Sequence, residues 1–216
     1  MIARRIAIAA GTIGLLLGAA AGYSWLRSGQ RPAWFRPPAR GPELALLGER
    51  FERRVSSDLS DAHPFGTPWE LAIDEPGLAA WLNSRLGEWA ANQGSPLPSD
   101  LRTIHCSIDS AGIRLGASIG TAGNERIIGA LVLFDSAGRP SLHSPSIGRL
   151  VPPEWAAGPL LRLAAPGLGL DLSHALGAAL PRDAPLQLGD GRRVRLIAAA
   201  LEPGVLRLTC VTEGKQ

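Results

Sequence analysis

The longest interruption in the alternation of polar and apolar positions is Ile6 to Leu26. It reads IAIAAGTIGLLLGAAAGYSWL, holds no charge, and lies between Arg4-Arg5 and Arg27. At the helical rise of about 1.5 Å per residue such a helix reaches roughly 30 Å, the thickness of a bilayer's hydrocarbon layer. Tyr23 and Trp25 fall near its outer end, where amphipathic rings favour the headgroup zone. Residues 1–27 therefore read as a transmembrane anchor. The competing reading is a secretory signal peptide, with Arg4-Arg5 as its charged start, Ile6 to Leu17 as its apolar part and Ala19-Ala20-Ala21 as its cleavage site. The apolar run continues past that site, which favours the anchor, and either reading carries the remaining chain out of the cytoplasm. A short tail before a long domain predicts a single-pass protein of the cytoplasmic (inner) membrane with its C-terminal domain outside.

Beyond the anchor the pattern changes several times. Residues 28–42 are dominated by Pro and Arg and predict a stiff, extended linker, read first as a plain stalk, with contact of Trp34 and Phe35 with the membrane surface as the alternative. From Glu43 to Leu59, Leu44, Leu47, Phe51, Val55 and Leu59 share one stripe of a helix. Trp69, Leu71 and Ile73 alternate with polar neighbours as a strand. Asp74 and Pro76 then open a second helix with Leu78, Trp81, Leu82, Leu86 and Trp89 on its apolar face.

The middle of the chain is a run of strands. Ile104, Cys106 and Ile108 alternate, then Ile113, Leu115, Ala117 and Ile119; Ile127 to Phe134 is apolar on both faces, and a weaker strand runs from Ser141 to Ile147. Short turns at Asp109–Gly112, Thr121–Asn124 and Asp135–Gly138 imply antiparallel meander pairing. Helices are predicted from Pro152 to Leu163 and from Leu170 to Leu180. Two closing strands follow, Arg192 to Leu201 and Val205 to Thr212. The fold class is α+β, with residues 43–216 forming one extracytoplasmic domain, a curved antiparallel sheet packed on helices.

Charge refines the location. The chain carries net +3, but residues 1–41 hold six Arg and no acid, leaving 16 basic against 19 acidic residues, net −3, for the remainder. The basic character belongs to the membrane flank, where it meets anionic headgroups. No basic stripe with interleaved aromatics occurs, so nucleic acid is not an expected partner. Gly14, Gly18 and Gly22 recur every four residues, a spacing that would support self-association through the span. The abundance of Gly in the chain accounts for it more simply.

Chemistry is sparse. His63, His105, His143 and His174 make no metal-ligand spacing, no Gly-x-Ser-x-Gly elbow occurs, and Gly189-Asp190-Gly191 precedes a strand and so reads as a hairpin turn. No cofactor, metal or catalytic residue is predicted. Cys106 and Cys210 lie on the apolar faces of their strands and read as buried thiols, with a disulfide as the alternative if those strands are neighbours.

An N-terminal span, a helix centred on Trp81-Leu82-Asn83, strand hairpins, the segment Ser146-Ile147-Gly148-Arg149-Leu150-Val151-Pro152 and a final hairpin follow one another in an order that resembles the YpmS-like family of membrane-anchored bacterial proteins. That family is in turn similar to tubular lipid-binding (TULIP) domains. The resemblance covers residues 68–212, carries over no catalytic residue, and matches residue by residue only at Leu82-Asn83 and at Ile147-Gly148-x-Leu150-x-Pro152, both read as structural.

The functional expectation is a lipid or other apolar ligand held on the sheet's inner face by Ile113, Leu115, Ile119, Leu131 and Leu133, since each buried methylene is worth about 0.8 kcal/mol without polar chemistry. The alternatives are an ordinary filled core, in which case the domain is an envelope scaffold or protein-interaction module, and, last, a hydrolase.

Overall fold

The computed structural model describes residue 23, residues 26–153 apart from 93, 95, 122 and 136–137, and residues 186–214. Apart from Tyr23 and Leu26, the predicted span lies outside the described residues, as do, apart from Pro152 and Pro153, the helices predicted between Pro152 and Leu180. Among the described residues no helix is long and apolar enough to cross a membrane.

The elements in chain order are α1 (Pro42–Ser60), β1 (Pro68–Asp74), α2 (Glu75–Ser84), α3 (Leu86–Asn92), β2 (Leu101–Asp109), β3 (Gly112–Thr121), β4 (Asn124–Phe134), β5 (Pro140–Ile147), β6 (Leu186–Gln187), β7 (Arg193–Glu202) and β8 (Val205–Glu213). The α+β class and the antiparallel pairing agree with the pattern, but the strands form two sheets instead of one. The first has the order β1-β8-β7-β6, so that the first strand pairs with the last; the second is the meander β2-β3-β4-β5.

The division has a local cause at the open edge of β2. An unpaired edge invites another strand, yet here α2 supplies the partners. Asn83 Oδ1 accepts the Ile104 N–H at 2.8 Å and its Nδ2 donates to the Ile104 carbonyl at 2.6 Å. Glu75 Oε2 accepts the Ile108 N–H at 2.7 Å. Side chains of one helix thus occupy the edge to which β1 or β8 would otherwise add. The Ile108 carbonyl accepts from Gly204 N, whose own carbonyl accepts from Glu75 N, and these bonds tie the two sheets together at one corner.

Helix α2 starts where the sequence said it would. Asp74 is extended, and its Oδ1 accepts the Gly77 N–H at 2.7 Å, which satisfies one of the donors a helix start leaves open. Burial raises the Asp74 pKa, but its bonds to Arg54 and Gly77 outweigh that and hold it below the usual range. The predicted single helix breaks at Arg85 into α2 and α3. Phe51 and Gly48 of α1 are buried toward α2.

One core joins both sheets and α2. Ala79, Cys106, Ile108, Ile113, Val132 and Leu206 are its buried members, with Ile73, Leu82, Leu115 and Leu208 packed around them. Both thiols are free and lie in different sheets; burial pushes Cys106 up to about 12 and Cys210 up to about 11.

Candidate functional site

Strand period two gives the meander a second face, turned away from that core. Across it runs a row in direct register: His105 of β2 opposite Gly116 of β3, Gly116 opposite Gly129 of β4, and Gly129 opposite Ser146 of β5. Two glycines and a serine leave a trough, and the indole of Trp34 fills it. A Cβ placed on Gly116 or Gly129 would stand 2.6 Å from a Trp34 ring carbon. Phe35, 3% exposed, packs beside it. The ring centroids of Trp34 and Phe35 lie 5.9 and 5.8 Å from that of His105. His105 Nδ1 lies 3.0 Å from the Arg36 carbonyl; since a carbonyl only accepts, Nδ1 carries the proton. Burial lowers the His105 pKa, against this bond, which raises it.

Residues 32–36 are therefore seated on the sheet instead of extending clear of it as a stalk. The chain just before them is clamped as well. Gly148, with φ 57°, donates to the Ile127 carbonyl at 2.6 Å, and a Cβ on it would meet the Arg27 carbonyl oxygen at 2.7 Å. Arg149 N donates to that same Arg27 carbonyl at 3.0 Å. The Ile147-Gly148-x-Leu150 segment thus holds the residues that directly follow the predicted span.

Between this docked segment and the end of β5 lies a half-open groove of about 420 Å³. Arg27, Pro32, Ala33 and Trp34 line one side; Ala130 and Leu131 of β4, Ser144 and Ser146 of β5, and Gly148, Arg149 and Val151 beyond it line the rest, with Arg114 of β3 alongside. The Arg114 guanidinium sits over Trp34, 5.7 Å from the ring centroid. The lining is amphipathic: arginines and hydroxyls beside an indole and aliphatic side chains.

The five residues predicted to hold a ligand do not share a face. Ile113 belongs to the core, Leu115 packs against it, and Ile119 forms a smaller buried cluster with Ile128. Leu131 pairs with Arg114, and Leu133 lies two residues further on, so both point to the opposite face; only Leu131 lines the groove. On the inner face Ile113 and Ile119 are buried and Leu115 is half-buried. The signals for the groove were the two-faced apolar run of β4, Arg114 between Ile113 and Leu115, and the aromatic pair in the Arg/Pro segment.

Other candidates are weaker. Ser141 Oγ lies 3.1 Å from His143 Nε2, but on an exposed part of β5. His63 stacks on Trp69 and bonds the Asp58 carbonyl. Among the described residues no group of three or more His, Cys, Asp or Glu is placed to hold a metal ion. Compared with protein-family models, characterised proteins and solved structures, the chain matches none.

Proposed function

We propose that this chain is a membrane-anchored, extracytoplasmic domain that binds a lipid or another apolar ligand without bond-making chemistry. The observation that carries the reading is the position of the groove: one wall is built from Arg27 to Trp34, the residues that directly follow the apolar stretch ending at Leu26. A ligand leaving the bilayer meets this groove first. Its volume lies at the small end of the range of about 300–1,000 Å³ usual for ligand sites, and its mixed lining suits an amphiphile. The resemblance to YpmS-like proteins points the same way.

Purifying the full-length chain from its membrane in mild detergent, extracting it with organic solvent and analysing the extract by mass spectrometry tests this. A lipid retained in a fixed ratio to protein after detergent exchange is the expected result. A chain that emerges lipid-free, or that fractionates with the cytosol, overturns the proposal.

The packing of Ile113, Leu115 and Ile119 into hydrophobic clusters favours a second reading, an envelope scaffold. Trp81 and Trp89 meet edge-on at 6.1 Å between centroids, and Trp89 remains half exposed, a form typical of partner-binding anchors. Crosslinking in intact cells separates the two, since a scaffold gives one dominant protein adduct and retains no lipid.

A further inference from the structure

We infer that the groove takes the phosphate of an anionic phospholipid, drawn from the bilayer that holds the anchor. The inference rests on the lipid-binding reading above and adds the headgroup to it. Three arginines, Arg27, Arg114 and Arg149, line one groove of about 420 Å³. Among the described residues none of them has a carboxylate in ion-pair reach, whereas Arg54, Arg85, Arg139, Arg192, Arg195 and Arg207 each face one. Three like charges around one hollow repel, and an anion between them relieves that repulsion.

Their donors are only partly used. A guanidinium carries five N–H groups. Arg27 Nε donates to the Tyr23 hydroxyl at 2.8 Å. Arg149 Nε donates to the Arg31 carbonyl at 3.3 Å, and its Nη1 reaches Gln30 Oε1 at 3.5 Å. Arg114 is held by the Trp34 ring face. The remaining donors suit the forked geometry in which arginine binds phosphate oxygens.

The backbone at the groove is also unusual. Among the described residues Ser144 is the one non-glycine with positive φ, at 48°. It stands where the β4–β5 register slips between Gly129 and Leu131, and it lines the groove. A strained residue at a bulge re-aims a side chain, and here the side chain is a hydroxyl beside the arginines.

The occupant follows from position as well as charge. The first of the three arginines is the residue after Leu26, so the groove mouth stands at headgroup depth. A whole two-chain lipid exceeds the groove; its phosphate and glycerol fit, with the acyl chains left in the bilayer beside Leu131, Val151 and Trp34.

The test uses the full-length protein in nanodiscs of equal phosphatidylglycerol and phosphatidylcholine, with retained lipid read by native mass spectrometry. Phosphatidylglycerol retained about tenfold over phosphatidylcholine is expected. The Arg114→Gln/Arg149→Gln double variant should fall to parity, and Arg114→Lys/Arg149→Lys should keep a reduced preference. Both lipids retained equally by the wild type overturns the headgroup inference and leaves the lipid-binding reading standing; retention of neither overturns both. Undiminished preference in a folded double Gln variant also overturns it. Inorganic phosphate that displaces the lipid at millimolar concentration would assign the groove to a soluble phosphate compound and overturn the lipid source. If the double Gln variant does not fold, the wild-type selectivity and the phosphate competition still decide.

Discussion

Gly129 shows how much a single side chain decides here. Its missing Cβ is what admits Trp34 to the sheet, at a separation no real Cβ tolerates. Gly129→Val inserts volume against an aromatic ring with no room to move inward, and overpacking of this kind costs about 1–3 kcal/mol. Thermal unfolding of the variant should show the loss, and Trp34 should become accessible to an aqueous fluorescence quencher. His105 adds a pH dependence to the same contact. Its folded-state pKa is lowered by burial, so the unfolded chain binds the proton more readily. Stability is therefore full above the unfolded value of about 6.5 and declines as pH falls toward the folded value. Glu75, Arg114 and Arg31 are the charged groups that bear on it. A melting midpoint that drops between neutral and mildly acidic pH in the wild type, but stays flat in His105→Gln, is the expected outcome.

At the scale of elements, α2 stands in for a strand. Asn83 and Glu75 complete the edge of β2 with three hydrogen bonds, at Ile104 and Ile108. Asn83→Ala leaves the Ile104 N–H and carbonyl without these partners in a part-buried setting, a loss of about 1–3 kcal/mol. Urea unfolding should show a lower midpoint with unchanged slope. Most elements were legible from their own residues. The stripe of α1, the cap at Asp74, the meander turns and the two closing strands need only local patterning. The break at Arg85 and the pairing of β1 with β8 were not legible. Alternation shows that a segment is a strand and which side is apolar, but it carries no information about which edge it will join.

For the whole molecule, the consequence is a fixed relation between the meander sheet and residues 27–36. Residues read as a stiff, extended linker are docked by Gly148, Arg149, His105 and the glycine trough. Trp34→Ala should release them. Limited trypsin digestion of the full-length chain should then cut after Arg27 or Arg40, the arginines of this segment not followed by proline, several-fold faster than in the wild type, because cleavage follows local opening. Equal rates would show that the docking does not hold the segment. The same docking brings Arg27, the residue after Leu26, into the arginine-lined groove, and the binding proposals depend on that placement.

The amino-acid sequence by itself determined most of the described elements and their apolar faces, the α+β class and the basic flank after an uncharged apolar stretch, because each depends on residues close together in the chain. Tertiary structure decided the rest: that there are two sheets, that Ile113, Leu115 and Ile119 pack into clusters on the face opposite Leu131, and that Trp34 closes one side of a groove with Arg114 and Arg149. Those outcomes depend on strand edges and on a glycine row assembled from β3 and β4, contacts between distant residues that no local period encodes.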